Sequence, residues 1–251
     1  MGCLLTLDRG NSALKVDVWD DDNLIETVVM PPACIRRQLR ALASRHVIDD
    51  AIYCSVTDDG SAVSEVLAEA GVMLRILSHD TPLPIEIGYA SRQTLGVDRI
   101  AGSIGAWSLH KGKELLVVDL GTAITYDRVN AEGVFMGGNI APGMSLRLKS
   151  LNAFTARLPK VELDGSLPIW GYDTDTALRS GAIRGIAAEV AFYHSILPDG
   201  AVTVITGGSA NRIARLLEFE VDHQPHLVTL GLRQLLKFFQ KQQIILNDIT
   251  I

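Results

Sequence analysis

One phrase occurs twice in this chain and limits what it can become. Leu4-Leu5-x-x-Asp8-x-Gly10 near the start returns as Leu115-Leu116-x-x-Asp119-x-Gly121 in the middle. In each copy an apolar run of buried-strand character ends in Asp-x-Gly, and a second apolar run follows within a few residues. The pattern predicts a strand, a tight turn and a returning strand. A turn glycine lets backbone N–H groups approach a phosphate, and the aspartate can hold a metal ion or a water. Two such turns facing each other predict a phosphate cleft, and the echo predicts two related domains, 1–113 and 114–251.

The 251 residues suffice for two domains with cores of their own. With 47% hydrophobic and 21% charged residues and no low-complexity tract, an ordered globular protein is expected. Lys and Arg number 23 against 29 Asp and Glu, a net charge of −6, which speaks against a nucleic-acid partner because backbone phosphates call for a basic face. No signal-peptide pattern opens the chain and no run of 18 apolar residues occurs, so a cytoplasmic protein without a membrane partner is expected. Cys3, Cys34 and Cys54 are odd in number and widely spaced, as reduced thiols are.

Alternation and turn residues predict strands over 3–7, 13–19 and 24–30, an antiparallel meander whose Asp20-Asp21-Asp22-Asn23 stretch is a turn. Helical spacing follows over 35–45, a strand over 52–56, a helix over 63–70 and a short strand over 74–77. A helix starts near Asp98 and runs towards Leu109. The second half opens as the first does, with strands over 115–119, 123–129 and 134–136, Gly137-Gly138 serving as punctuation. Helices over 144–154 and 174–195, a strand over 202–206, and helices over 211–217 and 228–240 complete an α/β chain.

A third glycine turn, Thr206-Gly207-Gly208, also follows a predicted strand. A single turn of this kind is more often a corner whose Asp bonds its own loop; three in order, two of them echoes, favour nucleotide binding. Neither Gly-x-x-x-x-Gly-Lys-Ser/Thr nor Gly-x-Gly-x-x-Gly is present. The layout resembles the actin-like (ribonuclease H-like) ATPase and sugar-kinase superfamily, in which two related domains hold a nucleotide in a cleft between them and a later Gly-Gly turn borders the adenosine.

Five further phrases resemble the type III pantothenate kinases across nearly the whole chain. They are Leu7-Asp8-Arg9-Gly10-Asn11-Ser12-Ala13-Leu14-Lys15; Tyr89 with Thr94-Leu95-Gly96-Val97-Asp98-Arg99; Val118-Asp119-Leu120-Gly121-Thr122-Ala123-Ile124-Thr125; Gly137-Gly138-Asn139-Ile140-Ala141-Pro142-Gly143; and Asp173-Thr174 leading to Ser180-Gly181. The resemblance implies an enzyme that phosphorylates pantothenate with ATP, the first step of coenzyme A synthesis. It implies that Asp8, Arg9, Gly10, Asn11, Ser12, Ala13, Leu14 and Lys15 form an ATP loop with Asp8 at Mg²⁺, that Thr122 contacts ATP, and that Asp119 holds a monovalent cation, potassium or ammonium. It also implies Asp98 as general base, with Tyr89, Gly96, Val97, Asp98 and Arg99 lining the pantothenate pocket. A homodimer follows from it too, in which Thr174 completes the partner's pocket.

Read as residues alone, Asp98 is a helix-start carboxylate, Asp119 a turn carboxylate and Thr174 an ordinary helix-start residue. Ser12, Ile124 and Arg92 depart from the family's usual residues, and Arg9 puts a charge on a strand that packs inside, where it must reach water, a partner or a phosphate. His223 and His226 lack a third ligand at metal-site spacing and read as a solvent-facing pair. The resemblance extends to proteins named as transcriptional accessory factors, so a regulator without kinase activity on the same scaffold is the alternative, and an actin-like ATPase a third reading. Retention of Asp98, Arg99, Asp119 and Thr122 favours the kinase.

Overall fold

The structure is a computed structural model that describes residues 2–249. In chain order the strands are β1 (Cys3–Arg9), β2 (Leu14–Asp20), β3 (Asn23–Met30), β4 (Ile48–Ser55), β5 (Leu74–Ile76), β6 (Glu86–Ile87), β7 (Leu115–Leu120), β8 (Ala123–Val129), β9 (Val134–Pro142), β10 (Val202–Thr206) and β11 (Asp222–His223). The helices are α1 (Ile35–Arg45), α2 (Ser61–Glu69), α3 (Val97–Leu109), α4 (Met144–Ala153), α5 (Thr174–Ser195), α6 (Ala210–Ala214) and α7 (Leu227–Ile249). Two compact units result: residues up to 109 together with those from 226 onward, and His110–Pro225.

In the first unit the strand order is β3-β2-β1-β4-β5, with β1, β2 and β3 antiparallel and β1, β4 and β5 parallel. Leu5, Leu7, Val16, Val18 and Tyr53 bury one face of the sheet against α1 and α2, whose Leu39, Leu42, Val63, Val66 and Leu67 recur at helical spacing. Helices α3 and α7 form the most extensive pairing in the unit, and α7 also packs on β1 and β4. The crossing of α3 and α7 is backbone-close: a Cβ on Gly231 would lie 1.8 Å from the Ala101 carbonyl oxygen, and one on Gly105 2.4 Å from that of Leu227.

The start of α7 is also tied to β2. Asp17, fully buried, accepts hydrogen bonds from Thr27 Oγ1 (2.7 Å), His226 Nδ1 (2.8 Å) and Thr229 Oγ1. His226 is therefore no solvent-facing loop residue: it is held by a carboxylate on a distant strand. The aspartate run is a turn, with Asp21 at φ 49° and Lys237 Nζ 2.7 Å and 2.6 Å from the carboxylates of Asp21 and Asp22.

The second unit repeats the topology. Its strands run β11-β10-β7-β8-β9, with β7, β8 and β9 an antiparallel meander and β7, β10 and β11 parallel. Ile183, Ile186, Ala187 and Val190 of α5 pack on Leu116, Val118, Ile124 and Tyr126 of the sheet. α5 begins with a capping box, Asp173 accepting from the Thr176 N–H at 2.8 Å. The long connection before it is held by α5 side chains: Arg179 donates to the carbonyls of Glu162 and Ser166, and Arg184 to those of Leu167 and Pro168.

Each unit thus shows the same 3-2-1-4-5 strand order, opening with the strand–turn–strand that the repeated phrase predicts. β9 runs on to Pro142, so Gly137 and Gly138, read as punctuation, are strand residues paired with Arg128 and Asp127. The helix read over 228–240 extends over Leu227–Ile249 and packs with the first unit although it ends the chain. No helix among the described residues is long and apolar enough to cross a membrane.

Candidate active site

In the first unit, β1 ends at the Asp-x-Gly turn, and Asp8 pairs across the ladder with Lys15 on one side and Cys54 on the other. The three side chains therefore share one face of the sheet. Burial pushes the Cys54 thiol well above its ordinary value, and the carboxylates of Asp8 and Asp98 push it in the same direction. Of the two carboxylates, Asp8 is the one whose strand neighbour is Cys54. Asn11 and Ser12 form the exposed crest of the turn, whereas Leu14 is wholly buried in the core and leaves only its backbone for a ligand.

Asp98 stands in the first turn of α3, where its Oδ1 accepts the Arg99 N–H at 2.9 Å. Gly96 makes room for it, since a Cβ there would come within 2.4 Å of Asp98 Oδ1. The Arg99 guanidinium lies 5.8 Å from the centre of the Tyr89 ring, a cation–π arrangement, with Arg99 itself only 8% exposed. His79 Nε2 meets the Leu95 carbonyl at 2.8 Å and fixes the loop that leads into α3. Tyr89, Gly96, Val97, Asp98 and Arg99, scattered over eleven positions of sequence, therefore stand together at the entrance of one helix.

Arg9 finds its partner inside the unit. Its Nη1 donates to the Gly10 carbonyl at 2.5 Å and its Nε lies 3.5 Å from Asp58 Oδ2. Burial would push the Asp58 carboxyl up, but the Tyr53 hydroxyl, the Gly60 N–H and the Arg9 charge hold it below its usual range. Gly60, at φ 74°, permits this corner, because a Cβ would strike the Tyr53 ring at 2.8 Å. The signal that the sequence offers for this corner is the pattern Asp58-x-Gly60 shortly after β4.

In the second unit, the Asp119-x-Gly121-Thr122 turn is packed from two sides. Gly207, at φ 91°, places its Cα so that a Cβ would lie 2.5 Å from Asp119 Oδ1 and 2.7 Å from the Leu120 backbone. Gly143 donates its N–H to the Thr122 carbonyl at 2.9 Å, and a Cβ there would be 2.3 Å from the Gly121 carbonyl oxygen. The Ser209 N–H reaches the Leu120 carbonyl at 3.1 Å. All three glycine phrases of this half therefore converge on Asp119 and Thr122, with the Thr122 side chain exposed. Thr174 is the exposed first residue of α5, beside exposed Ile169, Trp170 and Tyr172.

Among the described residues no three His, Cys, Asp or Glu side chains are grouped to enclose a metal ion. His223 pairs within the sheet as part of β11.

The family model for type III pantothenate kinase matches residues 4–195. A type III pantothenate kinase from Porphyromonas gingivalis strain W83 is 40% identical over 243 residues, covering 93% of this chain and 98% of that protein. Among solved structures, a Campylobacter jejuni protein named for the Baf family of transcriptional activators aligns with a TM-score of 0.64 at 21% identity, covering 94% of this chain and 99% of that one. A Sinorhizobium meliloti protein named as a 2-dehydro-3-deoxygalactonokinase aligns with a TM-score of 0.60 at 14% identity over 94% of this chain and 99% of its own. At those identities the structural likeness speaks for the fold alone, that of actin-like ATPases and sugar kinases. Sequence identity carries further: matched by the family model over most of its length and 40% identical to a relative across nearly all of both proteins, the chain belongs to the type III pantothenate kinase family.

Proposed function

We propose that this protein transfers the γ-phosphoryl group of ATP to the primary hydroxyl of pantothenate, giving 4′-phosphopantothenate and ADP, the first step of coenzyme A synthesis, in the cytoplasm. The observation that carries this is the end-to-end likeness to type III pantothenate kinases. Within the first unit, Asp8 and Lys15 paired on one sheet face and the Tyr89–Arg99 pair next to Asp98 support it.

Phosphoryl transfer asks a protein for positioning and charge neutralisation more than for covalent chemistry. Asp98 takes the hydroxyl proton as the alcohol oxygen bonds to the γ-phosphorus and the bond to the β–γ bridging oxygen breaks, leaving ADP. Arg99, half of a cation–π pair with Tyr89, offers a planar fork to the pantothenate carboxylate. Asn11, Ser12, Lys15 and the N–H groups of the first turn hold ATP phosphates, Arg9 serving them by fixing the Gly10 carbonyl. Thr122 does the same from the second turn.

Mg²⁺ suits the donor set: it takes one or two carboxylates and completes its shell with phosphate oxygens and water, and Asp8 supplies such a carboxylate. Potassium or ammonium is assigned to Asp119, whose carboxylate stands against the Gly207 backbone at the end of β7. Exposed Ile169 (73%), Trp170 (86%) and Tyr172 (73%) next to Thr174 support a homodimer, since apolar side chains of that size gain by being covered. In it Thr174 contacts pantothenate in the partner's pocket.

The test is pantothenate-dependent ADP release, measured with and without potassium, for the wild type and Asp98→Asn. Turnover needs pantothenate and potassium, and the variant loses about 10²- to 10⁴-fold in kcat, the usual share of a general base. Wild-type protein that releases no ADP on adding pantothenate overturns the reading.

A further inference from the structure

Behind the second phosphate turn lies a polar chain that the proposed reaction does not use directly. Arg147 projects from α4 with only 15% of its side chain exposed and is held at two points. Its Nε donates to the Pro142 carbonyl at 2.7 Å, and its Nη2 to Glu189 Oε2 on α5 at 2.6 Å. The same Glu189 oxygen accepts the Tyr126 hydroxyl at 2.6 Å, and Tyr126 is buried on β8, the strand that leaves the turn. Burial would push the Glu189 carboxyl up, but the Arg147 and Tyr126 hydrogen bonds hold it below its ordinary value, so it stays an ionised acceptor at neutral pH.

The peptide that Arg147 grips is the one that matters. Pro142 closes β9, and the next residue, Gly143, has its N–H on the Thr122 carbonyl and its Cα against the Gly121 carbonyl. Any rotation of the Pro142–Gly143 peptide therefore moves the backbone of the turn itself. A guanidinium ties that carbonyl to the Glu189 carboxylate through two nitrogens of one planar fork, a fixed geometry that the single, freely rotating nitrogen of an ammonium does not reproduce.

We propose that Arg147, oriented by Glu189 and Tyr126, is a positioning residue for the Gly121–Thr122 phosphate turn and sets the affinity for ATP without touching it. The inference rests on the kinase reaction proposed above. A purely structural ion pair would lower stability and leave the two substrates equally affected. A positioning residue weakens the nucleotide and spares pantothenate, whose proposed contacts lie neither on α4 nor in the β7–β8 turn.

The experiment compares wild type, Arg147→Met, Arg147→Lys and Glu189→Gln by calorimetric titration with Mg·ADP, by KM for ATP and for pantothenate, and by thermal melting. Arg147→Met is expected to weaken ADP binding and raise the ATP KM about tenfold to a hundredfold, the range that a displacement of about an ångström produces. The pantothenate KM stays within about twofold, and Arg147→Lys and Glu189→Gln fall between these limits. Arg128→Met serves as the control, since it removes an exposed pair with Glu114 on the same sheet and should leave both KM values alone. If Arg147→Met melts below the assay temperature, Arg147→Lys decides by the same split. Nucleotide constants unchanged in both Arg147 variants, or both KM values rising together, overturn the inference while a turning-over wild type leaves the kinase reading standing. A wild type that neither binds ADP nor phosphorylates pantothenate overturns both.

Discussion

The two units carry the same turn in unequal surroundings. Between β1 and β2 the chain spends four residues, 10–13, and a Cβ on Gly10 would meet nothing nearer than the Ala13 carbonyl at 4.0 Å. Between β7 and β8 it spends two, and their backbone is pressed by Gly143 from one side and bounded by Gly207 at Asp119 from another. The first turn's glycine leaves open space beside the backbone, which the proposed phosphate contact calls for. The second turn's glycines are there because backbone meets backbone. One repeated phrase thus serves two physical ends, access in one unit and packing in the other.

The largest effect that separates them is on stability. Gly143→Ala would set a methyl 2.3 Å from the Gly121 carbonyl oxygen, and Gly207→Ala would add a strained positive φ to a 2.5 Å clash with Asp119. Each is expected to cost about 1–3 kcal/mol or more, the range of forced overpacking, read as a lowered melting temperature. Gly10→Ala meets no clash and should leave stability unchanged or raise it by up to about 1 kcal/mol, because alanine narrows the unfolded ensemble. Its methyl fills the approach to the loop, so ADP binding should weaken about tenfold, about 1.4 kcal/mol. The contrast breaks if Gly143→Ala melts with the wild type, or if Gly10→Ala binds ADP as the wild type does.

The same division governs what the sequence disclosed. The turns were legible because Asp-x-Gly after an apolar run is a local signal, and α5 because Asp173, Thr176 and the apolar spacing of 183, 186, 187 and 190 are all local to it. The two-residue strands β6 and β11 are too short to show a period. Glycines in β9 looked like breaks because their pairing with Arg128 and Asp127 lies on another strand. The return of α7 to the first unit depends on Gly231 meeting Ala101, and His226 on an Asp17 that lies 209 residues away, so neither had a local mark. Of the proposed site, Asp8, Asp98, Asp119 and Thr122 stand in short phrases whose family resemblance suggested them. Asp58 behind Arg9 and Arg147 behind Gly143 were missed, since a supporting charge is recognised only by the partner that folding brings to it.

The carboxylates that hold those arginines, Asp58 at Arg9 and Glu189 at Arg147, offer the smallest and most selective comparison. Asp58, in the first unit, and Glu189, in the second, are both held below their ordinary values: burial works against it, and hydrogen bonds to Tyr53 and Gly60 in one case, and to Arg147 and Tyr126 in the other, prevail. A carboxyl whose folded-state value is depressed stabilises the fold at pH above its unfolded value, about 4, and that contribution is lost as pH falls through the lower folded value. Melting temperature measured from about pH 6 down to about pH 3 should therefore decline less steeply in Glu189→Gln and in Asp58→Asn than in the wild type. Solvent screens both groups, which are 38% and 46% exposed, so the change in slope should be smaller than the drop caused by either alanine substitution in the second unit. At neutral pH the two variants should also part company. Glu189→Gln loosens Arg147 and weakens ADP through the packed turn; Asp58→Asn frees Arg9 beside an open turn that has room to readjust, and should leave ADP binding closer to the wild type. Equal losses of ADP affinity in both would mean that the open turn is as tightly positioned as the packed one.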